Sequence, residues 1–267
     1  MPFTWQSAIA YAQLVNIAYS VDPANQYSQT AISSIQQAGY TFVGSINGND
    51  LATNAHRAFA LPVTYGFVAT SNAGELVAVI RGTATQGAAG ILEWAHDFAF
   101  GTVPSPIRGG QGETEDGFSD VYDSLTLGTG AASPKVAAAM AGLFAAGGIN
   151  SISITGHSLG GALSSLLALD LALNGGIPHA PVVYTFASPN VGLQANFVPQ
   201  YNRWVPESYR VFNRFDLVPK LPPPPYGSVG SDQELVPPLS AIDANLPWQH
   251  FLDTYIALME QKAAGSA

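Results

Sequence analysis

The sequence of 267 residues contains no cysteine, which excludes disulfide bonds, zinc sites built on thiolates and catalysis by a thiol nucleophile. Charged residues are also scarce, at 10% of the chain compared with roughly 25% in typical soluble domains. Lys and Arg together number only 9, against 18 Asp and Glu, so the formal net charge is −9. So few cations argue against nucleic-acid binding, because contacts with phosphates need clusters of Lys and Arg.

The sequence also lacks an uninterrupted apolar run of the about 20 residues that a membrane-spanning helix needs. Residues 136–156 carry no charge, but glycine and polar residues interrupt them, so this segment predicts a helix, a turn and a strand. The N-terminal segment up to Asp22 is free of charge as well, without the basic region or the clear cleavage site of a signal peptide. Its apolar residues recur at helical spacing, which predicts an amphipathic first helix over 4–19 that packs on the domain.

Strand and helix patterns alternate along the chain, and neither an internal repeat nor a low-complexity linker separates them. The pattern predicts an α/β fold, with residues 1–267 as a single domain. A continuous apolar strand over 182–187 is typical of a parallel sheet covered on both faces, and residues 63–80 predict a β-hairpin. The remaining predictions are helices over 28–38, 121–125, 134–146 and 159–174, strands over 151–155 and 209–215, a long Pro-rich loop over 217–247, and a final helix from near His250.

Residues 156–160 read Gly-His-Ser-Leu-Gly, which matches the pattern G-x-S-x-G around a nucleophilic serine. The context carries more weight than the pattern, because a predicted strand precedes Ser158 and a predicted helix follows it. Such a sharp turn requires a strained backbone at the serine and small residues beside it, which Gly156 and Gly160 supply. The helix N-terminus then places its positive dipole near a developing oxyanion. The alternative is a glycine-capped helix start with an incidental serine.

A serine hydroxyl needs a general base, and the base needs an acid that orients it. In chains with this kind of elbow the order is serine, acid, histidine. His250 is the predicted base, because the other histidine after Ser158, His179, lies in a turn at the opposite edge of the sheet. Asp216 is the predicted acid, because it follows a predicted strand, and open α/β sheets place their chemistry at the carboxyl ends of strands. The other histidines have predicted surface, supporting or packing roles: His56, His96 and His157.

Residues 81–83, Arg-Gly-Thr, end the predicted strand over 76–80. The backbone N–H groups of Thr83 and Leu159 are predicted to hold the tetrahedral oxyanion, with the Thr83 hydroxyl as a third donor. The alternative for this segment is an ordinary turn at the end of a strand. An apolar groove for an acyl chain is predicted from six residues: Leu217, Val218, Leu221, Pro222, Leu235 and Val236. Ordinary packing of these side chains within the loop is the alternative, with equal weight.

In order and spacing, these motifs resemble the class 3 lipases, the group of filamentous-fungal triacylglycerol lipases with feruloyl esterase relatives. The residues that carry the resemblance are VIRGT (79–83), EWAHD (93–97), GF (117–118), TGHSLGGA (155–162), FASP (186–189), NRFDLVP (213–219) and His250. The resemblance implies an α/β-hydrolase fold, with a mostly parallel central sheet and helices on both faces. It implies Ser158, Asp216 and His250 as the catalytic triad, Thr83 with Leu159 as the oxyanion hole, and a short mobile lid over about residues 84–92.

Two features depart from that pattern. The secreted fungal members are usually disulfide-bonded, whereas this chain has no cysteine. The predicted lid segment is rich in Gly and Ala and offers bulky apolar side chains only at Ile91 and Leu92, with Trp94 just beyond it. Ile91 and Leu92 are predicted to contact the acyl chain. A large apolar lid face normally docks onto lipid as the lid opens. Because the predicted lid has few bulky apolar side chains, we expect weak interfacial activation.

The predicted function is that of a carboxylic-ester hydrolase, a triacylglycerol lipase that works through an acyl-enzyme and needs no cofactor and no metal. One alternative is a feruloyl or other aryl or carbohydrate esterase on the same scaffold, and another is a non-catalytic lipid-binding module. The predicted partners are a lipid or other ester substrate and a transient lipid–water interface, with no nucleic acid and no obligate protein partner. Secretion is predicted from the resemblance. The net charge of −9 predicts a preference for neutral over strongly anionic lipid surfaces.

Overall fold

A computed structural model of the protein describes residues 2–21, 26–49, 62–83, 101–130, 132–238 and 246–265. The predicted lid over 84–92, with Ile91 and Leu92, lies outside the described residues, as do Trp94, His56 and His96. The helices and strands that position the candidate site all fall within the described ranges.

The strands of the described ranges are β1 (Tyr40–Asn49), β2 (Pro62–Ser71), β3 (Glu75–Ile80), β4 (Thr102–Pro104), β5 (Glu113–Glu115), β6 (Thr126–Leu127), β7 (Ser151–His157), β8 (Val182–Phe186), β9 (Gly192–Leu193), β10 (Ser208–Asn213), β11 (Tyr226–Gly227) and β12 (Ser231–Leu235). The helices are α1 (Trp5–Ala18), α2 (Gln29–Gln37), α3 (Asp116–Ser124), α4 (Val136–Ala145), α5 (Leu159–Asn174), α6 (Phe197–Trp204) and α7 (Leu252–Gly265). Short 3-10 helices cover Val218–Lys220 and Leu246–Gln249.

Eight of these described strands form the central sheet in the spatial order β12-β10-β8-β7-β3-β2-β1-β6, and the other four form a small second sheet in the order β11-β9-β5-β4. The five strands from β12 to β3 run parallel, whereas β2, β1 and β6 pair antiparallel. The predicted hairpin is the β2–β3 pair, in which Gly66 lies opposite Ile80. The carboxyl ends of the parallel strands therefore meet at one edge of the central sheet.

Alternate residues of the central strands face opposite layers of helices. On β3, Leu76 and Ile80 belong to a core that includes side chains of α3, α4, α5 and α6. Val77 and Val79 belong to a second core, built with α1, α2 and α7. Both faces of the sheet are thus covered, which explains the uninterrupted apolar sequence of β3 over 76–80, Leu-Val-Ala-Val-Ile.

The charge-free segment over 136–156 forms α4, a turn and most of β7, as predicted. Among the described helices, none has both the length and the apolar character that crossing a lipid bilayer requires. The predicted helices over 4–19 and 159–174 are also present, as α1 and α5, with boundaries that agree within one residue.

Three local predictions were incomplete or wrong. The helix predicted over 121–125 begins at Asp116, because the side chain of Glu115 caps it by accepting a hydrogen bond from the backbone N–H of Phe118, 2.7 Å away. The loop predicted over 217–247 contains the edge strand β12, which pairs parallel with β10. Its sequence, Ser-Asp-Gln-Glu-Leu, is polar and resembles a loop, because this strand pairs with a neighbour along only one edge. The long strand β1 was not predicted.

Candidate active site

The candidate nucleophile lies at the sharp turn between β7 and α5. Ser158 has φ 57° and ψ −129°, a conformation that non-glycine residues rarely adopt. A Cβ atom at Gly156 would lie 2.2 Å from the carbonyl oxygen of Gly160, and one at Gly160 would lie 2.2 Å from that of Ile80. Glycine at both positions therefore allows strand, turn and helix to pack together, as the motif predicts.

Three predicted site residues come together at this edge of the sheet. Nε2 of His250 lies 2.9 Å from Oγ of Ser158, and Nδ1 of His250 lies 2.8 Å from Oδ2 of Asp216. A carboxylate only accepts hydrogen bonds, so Nδ1 of a neutral His250 carries the proton and Nε2 is free to accept from the serine hydroxyl. All three side chains are buried, which strengthens these interactions relative to water.

The acid is held by more contacts than the sequence predicts. Oδ2 of Asp216 also accepts a hydrogen bond from the hydroxyl of Tyr255 on α7, and Oδ1 accepts one from the backbone N–H of Val218. Burial raises the pKa of Tyr255 well above its ordinary value, so this hydroxyl stays a donor. Three contacts thus fix the position of this carboxylate beside His250.

A side-chain bridge connects the turn that carries the acid to the turn that carries the base. Nδ2 of Asn213, the last residue of β10, lies 3.0 Å from the backbone oxygen of Gln249 and 2.7 Å from its Oε1. Asn213 and Gln249 were not predicted as site residues. The available signal was their proximity in sequence to Asp216 and His250, which does not by itself indicate a contact.

The predicted oxyanion segment packs directly against the nucleophile. A Cβ atom at Gly82 would lie 2.8 Å from Cβ of Ser158, so the backbone that leads into Thr83 contacts the serine turn. Leu159 is the first residue of α5, where backbone N–H groups have no acceptor within the helix and the helix dipole is positive. One predicted donor thus follows a residue that packs against Ser158, and the other follows Ser158 directly.

His157, the residue before the nucleophile, has polar contacts in addition to the predicted packing. Its Nδ1 lies 2.7 Å from the hydroxyl of Tyr19, and its Nε2 lies 2.8 Å from the backbone oxygen of His250. Burial, together with the nearby His250, lowers the pKa of His157 well below its ordinary value, so the ring is neutral. His179, by contrast, is exposed, in keeping with its exclusion as the base.

The residues predicted to line an acyl groove differ in exposure. Leu217 and Val236 are exposed, at 42% and 49%, and Leu221 is half-buried. Val218 and Leu235 are buried, and Leu235 belongs to the core beside α1 and α7, which fits the alternative of ordinary packing. Trp248, two residues before His250, is 53% exposed and was not predicted to line the groove.

Comparison with known proteins gives one family model, described as lipase (class 3), which matches residues 77–226. The secreted mono- and diacylglycerol lipase 1 of Fusarium solani is 31% identical over 163 residues, covering 60% of this chain and 44% of that protein. Phospholipase A1-II 3 of Oryza sativa subsp. indica is 34% identical over 178 residues, covering 59% of this chain and 41% of that protein. The chain thus spans less than half the length of these relatives.

Solved structures extend the similarity to most of the chain. The lipase from Rhizopus microsporus var. chinensis superposes with a TM-score of 0.63 at 22% identity, covering 86% of this chain and 74% of the other. A triacylglycerol lipase whose catalytic centre is formed by a serine protease triad gives a TM-score of 0.62 at 23% identity, with 86% and 79% covered. At such identities the similarity shows the fold, and the predicted α/β-hydrolase fold is confirmed.

Proposed function

Because the chain belongs to the class 3 lipase family, we propose that it is a serine ester hydrolase that cleaves acyl esters of glycerolipids. The observation that carries the proposal is the buried chain of hydrogen bonds from Ser158 through His250 to Asp216, with distances of 2.9 Å and 2.8 Å. In this proposal Ser158 is the nucleophile, His250 is the general base and acid, and Asp216 orients the imidazole and stabilises its charged form.

The reaction runs in two halves. His250 accepts the proton of Ser158 as Oγ attacks the ester carbonyl, and the N–H groups of Thr83 and Leu159 donate to the oxyanion of the tetrahedral intermediate. His250 then gives the proton to the leaving alcohol, so that an acyl-enzyme remains. A water molecule, activated in turn by His250, releases the fatty acid and restores the serine. Loss of one oxyanion donor costs about 10²–10³ in turnover in comparable sites.

Exposed apolar side chains next to the triad support a lipid substrate. Leu217 follows Asp216 directly, Trp248 lies two residues before His250, and Val236 follows the strand β12 beside β10. Large apolar side chains that remain exposed around a site are typical of a surface that meets lipid. The names of the fungal and rice relatives also refer to glycerolipids. These observations favour a glycerolipid over the feruloyl or carbohydrate esters of the alternative hypothesis.

The same observations bear on organisation and location. We propose that residues 1–267 form a single domain, since the central sheet combines strands from both halves of the sequence. We also propose that the protein acts outside the cell at a transient lipid–water interface, because the Fusarium solani relative is named as a secreted lipase. We further propose that residues 84–92 form a lid. The acyl chain is proposed to contact five apolar residues: Ile91, Leu92, Leu217, Leu221 and Val236.

The test is covalent labelling combined with a series of substrates. A long-chain alkyl phosphonate should add one phosphonyl group to the wild type, as detected by mass spectrometry, and none to Ser158→Ala. Ser151→Ala, which changes the exposed serine at the start of β7, should be labelled like the wild type. Hydrolysis should extend to long-chain acylglycerols. Good turnover of methyl ferulate with no activity beyond medium acyl chains would contradict the lipase proposal.

A further inference from the structure

Gly82, the residue before the proposed oxyanion donor Thr83, is held on both sides of its backbone. Its N–H donates to the hydroxyl of Tyr19, 2.9 Å away, and its carbonyl oxygen accepts from Nη1 of Arg81, 2.8 Å away. Arg81 is itself fixed, because its Nε donates to the backbone oxygen of Thr64. A Cβ atom at Gly82 would meet both Ser158 and Tyr19 at 2.8 Å, so the backbone has no room to shift toward them.

The contact with Arg81 determines where the N–H of Thr83 points. The carbonyl of Gly82 and the N–H of Thr83 belong to the same peptide group, which is planar and trans, so the two bonds point in opposite directions. A guanidinium that holds the carbonyl therefore aims the N–H away from itself. A bond from a charged donor also polarises the peptide, which makes its N–H a stronger donor. Arg81 is buried at 3% exposure, so solvent does not weaken this contact.

The contact with Tyr19 continues to the proposed catalytic base. A backbone carbonyl only accepts, so Nε2 of His157 must donate to the oxygen of His250, and the neutral ring then accepts at Nδ1. The hydroxyl of Tyr19 must therefore donate to Nδ1 of His157 while it accepts from Gly82. The direction of every hydrogen bond in this chain is fixed. One hydroxyl connects the peptide that leads to Thr83 with the backbone of His250.

We propose that Tyr19 and Arg81 are positioning residues that aim the backbone N–H of Thr83 at the oxyanion, and that Tyr19 and His157 hold that peptide in register with the catalytic His250. This inference rests on the proposed function and adds two residues from outside the triad and its motif. Tyr19 directly follows α1, whereas the serine turn directly follows β7, much later in the sequence. The N-terminal helix would thus take part in organising the site as well as in forming the core.

The first test is Tyr19→Phe, which removes the hydroxyl and leaves the N–H of Gly82 and Nδ1 of His157 without a partner. We expect kcat on a soluble ester to fall about 10- to 100-fold, part of the loss that follows removal of an oxyanion donor, while KM stays within about twofold because positioning acts on the transition state. The matched control is Tyr27→Phe, since the hydroxyl of Tyr27 donates to Ala18 at the end of the same helix and outside this chain of bonds.

A transition-state analogue separates positioning from a general effect on folding. The affinity of a boronic acid or a trifluoromethyl ketone should fall in Tyr19→Phe by about the same factor as kcat/KM, because both depend on the oxyanion donors. His157→Gln, which can still donate to the His250 carbonyl, provides a second variant with the same expected direction if Tyr19→Phe does not fold. A kcat and an analogue affinity equal to those of Tyr27→Phe would overturn the inference.

The outcome for the wild type keeps the two proposals distinct. If the wild type neither hydrolyses esters nor reacts with a phosphonate, the proposed function has failed. If the wild type is active and the Tyr19→Phe variant matches it, or loses only substrate affinity, the function stands and the positioning role of Tyr19 has failed.

Discussion

The hydroxyl of Tyr255 donates a hydrogen bond to Oδ2 of Asp216 at 2.8 Å, the same oxygen that lies 2.8 Å from Nδ1 of His250. The carboxylate is thus shared between the imidazole and a phenol, and the phenol oxygen in turn accepts from the backbone N–H of Asn213. Tyr255 is fully buried, so no water molecule from bulk solvent can readily replace it. The helix α7 therefore helps to hold the carboxylate of Asp216 in position through Tyr255.

Tyr255→Phe should weaken both stability and catalysis. The variant leaves a buried carboxylate and a buried N–H each without one partner, so we expect a loss of about 1.5–3 kcal/mol in the free energy of unfolding. The value of kcat/KM should fall about tenfold, less than the about 10⁴ expected for Asp216→Asn. Urea denaturation and ester hydrolysis measure the two effects. Tyr40→Phe, which removes the hydroxyl group that donates to Glu75 far from the triad, should change stability but not kcat/KM.

Gly82→Ala tests the close approach of the oxyanion segment to the serine. The added methyl group would lie 2.8 Å from Cβ of Ser158 and 3.0 Å from the backbone oxygen of His157, so one of these segments must move. We expect kcat to fall about 100-fold or more, as for the loss of an oxyanion donor. Gly142→Ala is the control, because a Cβ at this exposed position of α4 meets nothing within 4 Å and should stabilise the helix slightly. Equal activity of the two variants would refute the assignment.

The local motifs predicted the site better than the contacts that support it. The glycines around Ser158, the strand before Asp216 and the order of the residues depend on patterns within a few positions, so the sequence alone indicates them. Tyr19 contacts His157 from the end of α1, 138 residues earlier in the chain, and Tyr255 contacts Asp216, 39 residues before it. No pattern within a few positions indicates either contact. Strand β12 was missed because an edge strand with ion pairs, Arg210–Asp232 and Arg214–Glu234, has the composition of a loop.

Glu115 should make stability depend on pH. Its side chain is buried at 1% exposure, and Oε1 has no hydrogen-bond partner among the described residues. Burial raises the pKa of Glu115 from 4.5 to about 8, so the folded protein holds a proton that the unfolded chain releases above pH 4.5. The stabilisation is therefore complete below pH 4.5 and is lost as the pH rises toward about 8, at up to about 1.4 kcal/mol per pH unit.

Glu115→Gln isolates this effect, because glutamine resembles the neutral acid and can still cap α3. The variant should lack the decline in the free energy of unfolding between pH 5 and 8 that we expect for the wild type. Asp123→Asn, a change of an exposed acid on the same helix, should retain the decline. Chemical denaturation at several pH values measures all three proteins, and parallel curves for wild type and Glu115→Gln would contradict the prediction.

Trp248→Ala should slow the proposed hydrolysis on lipid more than in solution. Trp248 is 53% exposed beside the base, and an exposed indole inserts favourably at a lipid–water interface. We expect the rate on a triacylglycerol emulsion to fall several-fold, through weaker adsorption, while kcat/KM on a short-chain soluble ester stays within about twofold. Trp204→Ala is the matched control: Trp204 is 43% exposed but precedes the amino end of β10, at the edge of the sheet opposite to the triad.

The net charge should set a preference among interfaces. At −9, the protein is repelled by an anionic surface, and this repulsion acts over about 10 Å at 0.1 M salt and over about 30 Å at 0.01 M. We therefore expect faster hydrolysis of acylglycerol dispersed in neutral phospholipid vesicles than in vesicles rich in anionic lipid at low salt. The difference should shrink as salt is added, because screening removes the repulsion without changing the triad.

The control is a soluble short-chain ester, whose hydrolysis should respond little to the same salt series. Equal rates on the two kinds of vesicle at low ionic strength would contradict this prediction. They would mean that the surface facing the lipid is less acidic than the chain as a whole, through cations near the acid such as Lys220.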